Sequence, residues 1–230
     1  MEKDLSLGIR KETDASYAER GLCTVYEMLV EALINPPDER ICHDIAQVAR
    51  TVGFDELEKT AKDAEDPSAA QRYYDRFFVP TSGTYIALSE CRMADAEIEG
   101  GRVSFGPAAN RRYEHVQALY DQAAFDFHNL KGDPLSLRQL AADSLASELA
   151  FLAFLAKAKE EDAIPRDAAD RFLCAFLKNH GINWVENAAR IMKAQSNDLY
   201  AQLVELAAFA QQAHADLIGL CSNTRRSSEI

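Results

Sequence analysis

The sequence contains no Cys-x-x-Cys pair, and its five cysteines, Cys23, Cys42, Cys91, Cys174 and Cys221, are odd in number and widely scattered. That spacing excludes a disulfide framework and a cysteine-based zinc site, and it reads as reduced thiols in a reducing compartment. None of the histidines, His43, His115, His128, His180 and His214, follows a glutamate by three residues, so the Glu-x-x-His pair of di-iron bundles is missing. H-E-x-x-H, G-x-S-x-G, a Walker loop and G-x-G-x-x-G are missing too, which removes the usual constellations of metal, acyl-transfer, phosphate-loop and dinucleotide chemistry. No enzyme activity, metal or cofactor is expected. No window alternates β-branched with polar residues, and no Asn-Gly or Asp-Gly turn occurs, so hairpins are not expected. The opening MEKDLSLGIRKETD has charges but no apolar core, so no secretory signal is expected and the chain should stay in the cytoplasm.

Basic residues are outnumbered, 25 against 37 acidic, giving a net charge of −12 and a pI near 4.9. This argues against general nucleic-acid binding; it suits a cationic partner and equally the surface of an ordinary cytosolic protein. The seven prolines all fall between stretches of helical periodicity and none within one, so they divide the chain into helices. The resulting fold class is all-α, a single-domain bundle of about nine helices over residues 15–220, with a flexible N-terminus 1–14 and a flexible tail 221–230. Ser16-x-x-Glu19 reads as a capping box opening the first helix, Asp38 as a cap and Gly53 as a helix stop. Residues 81–106 read as a long irregular excursion with one helical turn near Ser89 to Ala94.

The centre of the chain is Leu135 to Ala163, read as one helix. Leu149 to Ala156, LAFLAFLA, has no polar side-chain atom and should be covered on all sides, yet it is far shorter than the roughly 20 residues that cross a bilayer. Just before it, Asp143, Ser144, Ser147 and Glu148 would share less than half of the helix circumference. Such a patch either faces solvent and pairs with neighbouring helices, or lines a binding cleft. His180 precedes Gly181, where an imidazole would satisfy last-turn carbonyls of a closing helix. The aromatic set Tyr73, Tyr74, Phe77, Phe78 and Tyr85 cannot all point inward from one helix, so at least one should line the junction with the following loop.

Four segments in order, YYDRFFVP at 73–80, YIALSEC at 85–91, LAADSLASELAFLAFLA at 140–156 and FLKNHGINW at 176–184, resemble the TorD/DmsD/NarJ family of redox-enzyme maturation chaperones. The resemblance covers roughly residues 15 to 215. It departs from the family pattern at Ser144, where histidine is usual, at Ala87, where proline is common, and at Cys91, where serine is common. It implies an all-helical cytoplasmic chaperone that binds the twin-arginine signal peptide, or the apo form, of a molybdopterin-containing oxidoreductase subunit. The precursor is held until its cofactor is inserted and is then released for export. The alternative is a docking module for a non-exported molybdoenzyme that does not bind a leader. By the same resemblance the signal-peptide site would comprise Tyr74, Phe77, Phe78, Pro80, Tyr85, Glu90, Asp143, Ser144, Glu148, His180 and Trp184. Carboxylates would meet the arginines and aromatic rings the apolar stretch. Neither nucleic-acid binding nor stable membrane insertion is expected, and a homodimer is left open. On this reading Asp143→Ala weakens leader binding and leaves the fold intact, while Phe77→Ala harms binding more than thermal stability.

Overall fold

The computed structural model describes residues 2–64 and 66–219, with side chains from residue 16 onward except residue 63; the expected tail 221–230 and Cys221 lie outside the described residues. The chain is all-α, as its periodicity requires. The helices are α1 (Glu2–Ile34), α2 (Glu39–Val52), α3 (Asp55–Asp63), α4 (Ala69–Phe77), α5 (Glu90–Met93), α6 (Arg111–Gln122), α7 (Pro134–Gln139), α8 (Leu145–Glu160), α9 (Arg166–Phe176), α10 (Ile182–Gln195) and α11 (Leu199–Leu217). These are the nine expected helices plus the short α5 and α7. Among the described residues no helix is long and apolar enough to cross a membrane.

Helix α8 is the axis. Leu149, Phe151, Leu152 and Leu155 are each fully buried, and Ala150, Ala153, Ala156 and Ala158 are buried beside them, so the helix has almost no wet face. Each large apolar side chain buried here contributes about 1.5–3 kcal/mol. Helix α1 packs along α8, with the Cys23 thiol donating to Ala153 O; α9 lies against α8 as well, Trp184 of α10 reaches Glu148 of α8, and α11 packs on α1 and α10. Helix α1 already begins at Glu2, so Ser16-x-x-Glu19 lies inside it and opens nothing; the Glu19 carboxylate instead reaches Lys159 of α8 at 2.5 Å. Asp38 caps α2 through Ile41 N, and Gly53 ends it at φ +78°, the left-handed region that glycine enters without a Cβ penalty.

Three further corrections bear on the site. The stretch 135–163 is two helices, because the chain breaks at 140–144 and Ser144 caps α8 by accepting from Ser147 N. The excursion 81–106 holds a hairpin, β1 (Glu97–Glu99) with β2 (Arg102–Ser104), turned by Gly100 and Gly101, both at positive φ. Gly-Gly serves this turn as well as Asn-Gly would. Finally, the helix containing His180 does not close there. A π-helical turn, Leu177–Gly181, carries α9 straight into α10, and Gly181 sits at a helical φ of −70°.

After the hairpin the chain returns to α5, where Gly106 N donates to Arg92 O at 2.9 Å. A Cβ on Gly106 would stand 2.4 Å from the main-chain oxygen of Cys91, which cannot swing away as a side chain could. Gly106→Ala is therefore expected to destabilise the chain by about 1–3 kcal/mol in urea unfolding. An unchanged midpoint would mean that the hairpin moves freely against α5.

Candidate functional site

Helix α4 stops at Phe77 because Pro80 follows, and the chain folds back on itself. Ser82 Oγ donates to Asp75 O, and Tyr85 N donates to Ser82 O at 3.4 Å. Arg76 locks the return: it is 1% exposed, its Nη1 donates to Thr84 O at 2.7 Å, Ile86 N donates to its main-chain oxygen at 2.8 Å, and Asp198 lies 3.4 Å from Nη2. Residues 85–88 then run without regular secondary structure, Ser89 N closing a tight turn on Ala87 O at 2.9 Å, until an isolated antiparallel bridge pairs Ser89 with Ser144. Its bonds are Glu90 N to Asp143 O at 2.8 Å and Leu145 N to Leu88 O at 3.2 Å. Beyond the bridge the two segments enter α5 and α8 and separate.

The separation leaves a cleft of about 220 Å³. Phe77, Phe78 and Tyr85 form an aromatic wall, Ile86, Leu88 and Leu140 an aliphatic one, and Ser136, Ser144, Arg92 and Asp143 supply polar groups. The hollow thus joins the aromatic residues of 77–85 to the Asp143–Ser144 segment, far along the chain. Of the other residues proposed from sequence, Tyr74 donates its hydroxyl to Asp133 at 3.2 Å and Pro80 lies exposed in the turn after α4. Neither lines the cleft.

Asp143 borders the cleft but is 1% exposed. Its carboxylate accepts from Cys91 N at 3.0 Å, so it caps α5 from another part of the chain; Ser89, at the cap position itself, makes no side-chain cap bond. The expectation that Asp143 shares a helix face with Glu148 fails, since Asp143 precedes the helix. The Cys91 thiol, pushed up to about 11 by burial and then by Asp143, is an unreactive neighbour that donates to Asn110 Oδ1.

Glu90, Glu148, His180 and Trp184 lie behind the cleft rather than in it. Glu90, 3% exposed, accepts from His180 Nδ1 at 2.7 Å, and His180 Nε2 meets the exposed His115 Nδ1 at 2.5 Å. Arg112 stands 3.8 Å from Glu90 and pairs more closely with Asp95. Glu148 is fully buried; one of its oxygens accepts from Trp184 Nε1 at 2.9 Å and the other has no hydrogen-bond partner among the described residues. Burial, reinforced by Glu90 and Asp143, pushes the Glu148 carboxyl well above its ordinary range, against the opposing pull of Trp184. An acid sealed in the core, its ionisation opposed by burial, is no partner for an arginine head group.

The sequence reading missed Arg76, Arg92 and Ser136. Nothing in YYDRFF marks its arginine as the most buried cation, and Ser136, which shares a 2.6 Å bond with the Tyr73 hydroxyl, looks like one more helix-capping serine. Among the described residues no group of histidine, cysteine, aspartate or glutamate side chains is arranged to hold a metal ion. Compared with known proteins, the chain matches no family model, no curated protein and no solved structure.

Proposed function

We propose that this chain is a cytoplasmic peptide-binding chaperone of the TorD/DmsD/NarJ type. It would hold the twin-arginine leader or the apo form of a molybdopterin oxidoreductase subunit until the cofactor is inserted. The observation that supports this reading best is the cleft, whose aromatic wall comes from two of the four segments that carry the family resemblance, 73–80 and 85–91. An apolar hollow with a few polar groups at its edge suits the apolar stretch of an unfolded leader. The acid excess of the whole chain, −12, draws a cationic leader from a distance.

Tyr85 offers the cleanest test, because among the described residues its one aromatic contact is Phe105, whereas Phe78 packs on buried Tyr73 and Phe77 on both Tyr73 and, edge-on at 4.9 Å, buried Tyr200. Phe77→Ala should therefore cost stability as well as binding. Calorimetric titration with a synthetic twin-arginine leader should show Tyr85→Ala and Phe78→Ala weakened roughly tenfold or more, the loss expected when a buried aromatic anchor is truncated. Affinities equal to the parent chain's would remove the cleft from leader binding.

A further inference from the structure

We infer that the cleft takes its peptide as an added strand laid along Tyr85–Leu88, and that Arg92 selects a carboxylate on that strand. The inference rests on the peptide-binding reading above and goes further by naming which part of the partner enters. In the run 85–88 several main-chain groups are already used: Tyr85 N is bonded to Ser82 O, Ile86 N to Arg76 O, Leu88 O to Leu145 N, and Ala87 O to Ser89 N. Ala87 N–H and Tyr85 C=O are among those left, and among the described residues neither has a hydrogen-bond partner. Tyr85 and Ala87 both belong to the wall of the cleft.

An unpaired C=O and N–H two residues apart on the wall of an apolar hollow match a second extended chain, which offers an N–H and a C=O to them. A bound helix has its main-chain groups turned inward and would leave both dry and unpaired.

Charge then decides which extended segment fits. The charged side chains bordering the cleft are Arg92 and Asp143. Asp143 is occupied by Cys91 N–H. Arg92 is half-buried, donates only to Gly106 O at 3.3 Å, and among the described residues takes part in no ion pair, unlike its neighbour Arg112. Of the two, Arg92 is the one a ligand can touch, since Asp143 is 1% exposed and turned to α5. An apolar stretch carrying an aspartate or glutamate fits, with the planar guanidinium receiving the carboxylate.

The test is a fluorescence-anisotropy titration of the full chain with a labelled synthetic peptide. The peptide is a Val/Leu/Ala stretch in which one aspartate is moved along position by position, with asparagine and lysine versions of each. At the fitting position aspartate should bind roughly tenfold tighter than asparagine, the worth of a partly buried charge-assisted bond, and lysine weaker than both. Arg92→Gln should level the three without moving the melting temperature. In an N-methyl series of the aspartate peptide, affinity should fall at alternate positions, as one edge of a strand demands. Equal binding of the aspartate and asparagine peptides at every position, or uniform loss along the N-methyl series, would overturn the inference and leave the peptide-binding reading standing. Failure of every peptide to bind would remove both. Tight binding of decanoate in place of any peptide would reassign the hollow to a small amphiphile and overturn the inference as well.

Discussion

Asp143→Ala should lower the free energy of unfolding by about 2–4 kcal/mol and weaken peptide binding with it, since a buried charged acceptor is lost and a helix cap with it. The carboxylate holds the first turn of α5 through Cys91 N, and its own main-chain oxygen takes Glu90 N. Both contacts fix the bridge from which the cleft opens. Asp143→Asn keeps an acceptor oxygen in place and should lose much less. Urea unfolding of the two variants, read beside a peptide titration, separates the roles. If Asp143→Ala unfolded like the parent chain but bound peptide poorly, the residue would be a direct ligand contact, as the sequence first suggests.

Glu148→Gln should do the opposite and stabilise the chain, by about 1–3 kcal/mol at pH 8, because it removes an ionisation that the core resists. The sign follows from linkage: the folded carboxyl sits above its unfolded value, so the contribution is complete below the ordinary carboxylate range and is lost as pH rises above it. The gap between variant and parent should therefore widen with pH from 5 to 8. Trp184, the single tryptophan of the chain, donates to Glu148, so its fluorescence reports the same event. A gap independent of pH, or a variant less stable throughout, would show the carboxylate to be ionised in place.

Much of the fold was legible because local signals and burial agree. LAFLAFLA has no wet face and becomes the axis; Asp38 and Gly53 bound α2 as their chemistry dictates. What escaped depends on partners distant in sequence. Leu137, Leu140, Ala141 and Leu145 keep helical spacing straight through the break at 140–144, so periodicity cannot mark it. The break exists because Ala142 O receives the Tyr120 hydroxyl and Asp143 serves α5. The candidate site divided along the same line. Phe77, Phe78, Tyr85 and Ser144 line the cleft, whereas Glu90, Glu148, His180 and Trp184 form a sealed polar cluster behind it. A carboxylate's letter in the sequence is the same whether it meets solvent or an indole.

The π-helical turn at Leu177–Gly181 carries one consequence for how this chain tolerates change. Continued as a plain α-helix, the inward stripe of α9, Ala169, Leu173 and Phe176, would be out of phase with that of α10, Trp184, Val185, Ala188, Ile191 and Met192, by ~100°, the angular step of one residue. The wide turn absorbs that surplus residue and brings the stripes back into line. A change of segment length here therefore has a preferred sign: excising one of the five residues removes the surplus and leaves a plain α-helix with both stripes in line, whereas inserting a second would roll the apolar stripe of α10 away from α11.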